Sequence, residues 1–233
     1  MLFMRRTGQD PGDSRKEYNM ENKRIKTRSL TGVAVLTAIV VVLQFLGSFI
    51  RFGPFSISLV LIPIVVGAAL YGHWAGAWLG FAFGMIVLLS GDAGPFLAVS
   101  PLGTILTVLV KGAAAGFLAG LVYRALSRFD ARFVLMIGGK EKWDVDLAVI
   151  VSAIVCPVVN TGIFLLGCLI FFLPTVTEWG TAMGFPSVGK YMIFGLVGGN
   201  FLFELLVTVV LSPVIVRLIK GDRASNSESR WVG

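Results

Sequence analysis

Histidine occurs once in this chain and cysteine twice, and that scarcity closes off most active-site chemistry. His73 has no cysteine or carboxylate at metal-ligand spacing, so no metal site is expected. Cys156 and Cys168 lie in one apolar stretch, and on a helix their separation is roughly 18 Å, too far for a disulfide. The chain has no Gly-x-Ser-x-Gly elbow, no His-Glu-x-x-His helix and no Gly-x-x-x-x-Gly-Lys-Ser/Thr phosphate loop. It therefore reads as a non-enzyme that binds no cofactor covalently, and ATP-driven work would need a partner. Charge is also scarce: 14% of residues are charged, against about 25% in a typical soluble domain. The net charge of +7 comes from basic residues beside apolar stretches, where such residues set membrane topology. Nucleic acid is not an expected partner.

What the chain has instead is apolar length. Six stretches, approximately residues 29–50, 57–71, 74–90, 102–123, 147–173 and 190–219, approach the roughly 20 residues that a helix needs to span a bilayer. The expected class is an all-α integral membrane protein with six transmembrane helices in one domain, 29–219. It is flanked by a polar basic tail, 1–28, and a polar tail, 220–233. Residues 1–28 lack the short apolar core and cleavage site of a secretory signal. Met20 opens Met-Glu-Asn-Lys-Arg as a plausible start, so residues 1–19 are expected to be a disordered extension or a misassigned start. Seventeen lysines and arginines fall in the two tails, at Arg217 just before the second of them, and in the 124–146 connection, against two, Arg51 and Lys190, on the other side. The positive-inside rule then puts both termini in the cytoplasm and the connections 51–56, 91–101 and 174–189 outside. The 124–146 connection is basic, and its short apolar part, 133–137, suits the inner membrane surface.

Small residues mark a packing surface in the first three stretches. Gly72, Gly76, Gly80 and Gly84 recur every fourth residue, so they share one helix face. Ala34 and Ala38 form a smaller pair in the first stretch, and Gly112, Gly116 and Gly120 a row in the fourth. Such rows let helices approach closely in lipid. The row from Gly76 to Gly80 serves either packing within the bundle or docking of a second membrane protein.

Polar groups concentrate in the last three stretches. Lys111, Asn160 and Glu204 lie near mid-depth, Asn200 precedes Glu204 by one turn, and Gln44 lies toward the outer end of the first stretch. A charge in the membrane core costs roughly 2.5–3.5 kcal/mol even on lenient scales, so each must find a partner or line a polar cavity. Two readings follow. Lys111 and Glu204 pair and the asparagines bridge helices, or the layer floors a pocket for a polar small molecule. Lys111 would then meet a carboxylate or phosphate, and Glu204 an amine or ring N–H. The outer connections would close the pocket with Phe55, Asp92 and Trp179.

The Ala34-x-x-x-Ala38 pair, Pro157-Val-Val-Asn160 and Gly199-Asn-Phe-Leu-Phe-Glu204 together resemble the substrate-binding (S) component of an energy-coupling factor (ECF) transporter, over roughly residues 29–220. The resemblance implies a six-helix prokaryotic plasma-membrane protein that captures a vitamin. It implies docking through Ala34 and Ala38 to a transmembrane coupling subunit, and assembly with two ATPase subunits that alone use ATP. Helices one to three would meet the coupling subunit, and helices four to six would hold the substrate. Riboflavin, pantothenate and cobalamin are all open as ligands. An autonomous secondary transporter of a small polar solute and a membrane scaffold are the competing readings.

Overall fold

The computed structural model describes the backbone of residues 11–49, 51–52, 55–56, 59–137 and 147–211, and the side chains of 27, 29–49, 59–129 and 147–211. Apolar sequence of this length has no water to satisfy its backbone and must do so within each helix. The described chain is accordingly helical apart from one small antiparallel ribbon. Helix α1 (Pro11–Ser48) leads into strands β1 (Arg51–Phe52) and β2 (Phe55–Ser56), which pair Arg51 with Ser56 and Phe52 with Phe55. Then come α2 (Leu61–Tyr71), α3 (His73–Leu89), α4 (Gly94–Val99), α5 (Pro101–Ile137), α6 (Leu147–Phe171) and α7 (Leu173–Ala182). The last helix, α8 (Val188–Val210), opens with one α turn, widens into a π-helical segment at Tyr191–Val197 and returns to α geometry at Gly198.

Four helical segments are long and apolar enough to cross a membrane: Ser29–Ser48, Pro101–Phe129, Leu147–Phe171 and Val188–Val210. Helices α2 and α3 are apolar but shorter. They are joined at Gly72, whose φ of 94° is the left-handed conformation that glycine adopts without strain. A tight turn at Gly72 thus separates the second apolar stretch from the third.

Three connections are more ordered than the sequence suggests. The 91–101 loop holds α4, and the 174–189 loop holds most of α7; each helix has proline in its first turn. Proline lacks only an N–H that has no intrahelical partner at that position, so a residue that reads as a breaker starts a helix. The basic segment after Tyr123 continues α5 as far as Ile137. Residues 138–146 and 212–233 lie outside the described residues, as does the possible non-native start through residue 10. From Pro11 the polar residues ahead of the first apolar stretch are helical in α1.

Helix α5 is the centre of the bundle, packed along α3 on one side and α6 on the other. Its approach to α3 is backbone to backbone. A Cβ on Gly76 would run into the Gly116 carbonyl, and one on Gly80 into the Gly112 carbonyl. The assignment of Gly76 and Gly80 to an external docking face is therefore corrected. Both are buried, and their face is filled by α5. Ala34 and Ala38, in contrast, are exposed on α1. Two apolar clusters complete the core. One joins α1, α2, α3, α5 and α6 around Leu61, Ile64, Leu79 and Phe83. The other joins α4, α6, α7 and α8 around Phe96, Phe172, Val176 and Tyr191.

Candidate ligand cavity

Between the two clusters lies a cavity of about 830 Å³, counting its mouth. Phe83, Val87 and Val108 bound it from the first cluster, and Phe96, Phe172 and Leu196 from the second. It sits toward the end of the bundle that carries α4 and α7.

Each polar wall residue is placed by helix periodicity. Thr104, Thr107, Val108 and Lys111 recur at three- and four-residue intervals along α5, so one stripe of that helix faces inward. Leu196, Asn200 and Glu204 do the same on α8, beginning inside the π segment. Asn160, Thr161 and Phe164 line the wall from α6, three residues beyond Pro157, which sits inside that helix.

The cavity brings together five residues singled out from sequence: Asp92, Lys111, Asn160, Asn200 and Glu204. Trp179 is not part of the wall. Its ring meets Phe96 edge-on at 5.5 Å and reaches the cavity only through it. Phe55 lies in β2, and its side chain is outside the described residues. Gln44, Thr104, Thr107, Phe83, Phe164 and Phe172 of the wall were not anticipated as site residues. For Thr107 and Thr104 the signal was present: they stand four and seven residues before Lys111, on its face of the helix.

The division between helices one to three and helices four to six is not clean. Gln44 comes from α1 and Phe83 and Val87 from α3, so both groups of helices build the cavity. Folding brings the α1 and α3 ends together around one carboxylate: Gln44 Nε2 donates to Asp92 Oδ2 at 2.8 Å, and the hydroxyls of Ser48 and Ser90 donate to the same oxygen at 2.9 and 3.0 Å.

The two mid-depth charges do not close on each other. Asn200 Nδ2 donates to Glu204 Oε1 at 3.0 Å, and Glu204 Oε2 has no hydrogen-bond partner. The Lys111 ammonium lies 5.1 Å from the Phe164 ring centre and 5.7 Å from that of Phe83. Aromatic faces attract a cation, but they supply no acceptor for its three N–H donors. Buried polar atoms are nearly always hydrogen-bonded, so those that are not call for an explanation. Among the described residues five buried side-chain atoms have no partner, and four of them face this cavity: Gln44 Oε1, Thr107 Oγ1, Asn160 Oδ1 and Glu204 Oε2. Their residues are at most 5% exposed. The fifth, Ser152 Oγ, lies outside the cavity wall. The cavity thus presents the Lys111 ammonium, the unpaired amide oxygens of Gln44 and Asn160, the Glu204 carboxylate with one oxygen unpaired and the Thr107 hydroxyl within an aromatic and aliphatic wall. It suits a small solute that carries one acidic group, several O–H or N–H donors and some apolar surface.

The chain is 25% identical to the pantothenic acid transporter PanT of Lactococcus lactis subsp. cremoris (strain MG1363), over 83% of this chain and 94% of PanT. It shares a fold with ThiT from Listeria monocytogenes, with a TM-score of 0.57, 21% identity, and coverage of 85% of this chain and 97% of ThiT. Residues 28–219 match the family model described as ECF transporter, substrate-specific component. This multi-pass membrane protein, with its cavity between α1, α3, α5, α6 and α8, belongs to the substrate-specific component family of ECF transporters.

Proposed function

We propose that the chain captures pantothenate, or a hydroxylated carboxylic acid of like chemistry, from outside a prokaryotic cell and delivers it inward with an ATP-driven coupling module. The observation that carries this reading is the composition of the cavity wall. Lys111 has no acidic partner on Glu204, and three buried acceptors face the same space. Pantothenate supplies the complement: one carboxylate for Lys111, two hydroxyls and an amide N–H for the acceptors, and a dimethyl group for the phenylalanines. Riboflavin brings N–H and O–H donors but no acid. The relative PanT bears the name of a pantothenic acid transporter.

In this reading the chain crosses the plasma membrane six times with both termini in the cytoplasm. The bias of basic residues supports that orientation. Helix α2 is short for a crossing, but it is sheathed by protein, with seven of its eleven residues buried. A helix surrounded by other helices need not match the hydrocarbon thickness. The cavity then opens outward, on the side of the 51–56 ribbon. Ala34 and Ala38 dock the transmembrane coupling subunit, and two partner ATPases hydrolyse ATP; the chain itself performs no catalysis and holds no cofactor.

The test is uptake of labelled pantothenate into liposomes. Uptake is expected only when the chain is reconstituted with a coupling subunit, its ATPases and internal ATP. Equal uptake by the chain alone would instead make it an autonomous transporter.

A further inference from the structure

The capture reading leaves open what α1 contributes to ligand choice, and the contacts of Gln44 answer that question. Gln44 is 2% exposed and projects into the cavity wall from α1. A glutamine side chain has two ends of opposite character, a donating NH₂ and an accepting carbonyl, of similar size and shape. In isolation either end can face a ligand, and such a residue reads poorly. Here one end is committed. Nε2 donates to Asp92 Oδ2 at 2.8 Å, and a carboxylate oxygen can only accept. The amide cannot be reversed without setting its carbonyl against that carboxylate. Oε1 is therefore the end left toward the cavity, and it has no hydrogen-bond partner. Asp92 is itself held: Ser48 Oγ and Ser90 Oγ lie 2.9 and 3.0 Å from the same Oδ2, which ties the end of α1 to the turn after α3.

We infer that Asp92 is a positioning residue that locks the Gln44 amide with its carbonyl toward the cavity, making Gln44 a specificity residue that demands a hydroxyl or N–H donor from the ligand. This deepens the capture reading and rests on it. It also gives α1 a double role. The helix that carries the exposed Ala34 and Ala38 carries at Gln44 a direct contact with the ligand, one to three turns further along.

The lock has consequences for substitution that simple packing does not. Asp92→Asn offers both a donor and an acceptor to Gln44, so the amide can turn over and present its NH₂ to the cavity. Gln44→Met keeps the length and removes the acceptor. Gln44→Glu sets two carboxylates together, and Gln44→Glu with Asp92→Asn restores a donor–acceptor pair with the roles exchanged.

The experiment has two arms on the purified full chain. In the first, affinities are measured for pantothenate, its two monodeoxy analogues and its N-methylated amide analogue. The wild type is expected to prefer pantothenate to at least one analogue by tenfold or more. That same ratio should collapse to within about threefold in both Gln44→Met and Asp92→Asn. A residue that only supports the fold would weaken all four ligands together and leave the ratios intact, and unchanged ratios in Gln44→Met would overturn the inference. The second arm needs no ligand. Gln44→Glu should lower the melting temperature of the unliganded chain, and Asp92→Asn added to it should recover most of the loss. Additive losses would overturn the lock. If the wild type binds none of the four probes, the pantothenate reading falls, while the lock is still decided by the melting arm.

Discussion

Adding one methyl group at Gly80 should be far more damaging than adding one at Gly162, although both glycines sit inside apolar helices. A Cβ on Gly80 would overlap the Gly112 carbonyl oxygen and come 2.5 Å from its carbon and 3.1 Å from Ala113 N. Carbon atoms normally rest about 3.5–4.0 Å apart, so α3 and α5 would have to separate by about 1 Å. The obstacle is backbone, which cannot rotate aside as a side chain can, and α3–α5 is the most extensive helix pairing in the bundle. Overpacking costs about 1–3 kcal/mol, and Gly80→Ala belongs at the upper end. At Gly162 nothing lies within 4 Å of where a Cβ would stand. There alanine should stabilise by roughly 0.5–1 kcal/mol through its higher helix propensity. At roughly 2–4 °C per kcal/mol for a chain of this size, Gly80→Ala should melt about 6–12 °C lower in detergent, and Gly162→Ala slightly higher. Size-exclusion detection of the folded fraction after heating measures both. A Gly80→Ala chain as stable as the wild type but deficient in coupled uptake would restore the glycine row to an outward docking role and refute the backbone contact.

Four further outcomes follow from the geometry. Lys111→Met should weaken pantothenate binding about 10- to 150-fold, since a hydrogen bond to a charged group is worth about 1.5–3 kcal/mol. The same change should leave binding of the corresponding alcohol, panthenol, nearly unaltered, as isothermal titration can check. Asn160→Ala removes one neutral acceptor and should cost about 2- to 10-fold in affinity in the same assay. Trp179→Ala should lower melting through its lost edge contact with Phe96, worth about 0.5–1.5 kcal/mol beyond buried area, with the ranking of ligands preserved. Ala34→Trp combined with Ala38→Trp should reduce ATP-dependent uptake to background while ligand affinity stays at the wild-type value; normal uptake would remove α1 from the docking surface.

The helical class and the polar layer were legible because both rest on one-dimensional signals. Twenty-residue apolar stretches and rare mid-depth polar residues show in the sequence without any knowledge of neighbours. Helical spacing also put Asn200 and Glu204 on one face, and the structure joins them by a hydrogen bond. What was not legible depends on which helix lies against which. The α3 glycine row looks the same whether its partner is α5 or another protein, and only the approach of Gly112 and Gly116 decides. Gln44 stood apart from the other polar groups in sequence, and it enters the cavity because Asp92, 48 residues later, draws the end of α1 across. Trp179 shared an outer connection with the expected lid, yet α7 turns it onto Phe96. Pro95 and Pro174 were ambiguous in principle, since proline both ends helices and begins them.

The central claim is that the cavity holds an acid bearing several hydrogen-bond donors, and native mass spectrometry of the purified chain against a panel of water-soluble vitamins tests it most directly. The account predicts one retained molecule per chain, pantothenate, lost on Lys111→Met. Retention of an uncharged vitamin in preference to pantothenate, or of none with melting unchanged across the panel, would contradict it.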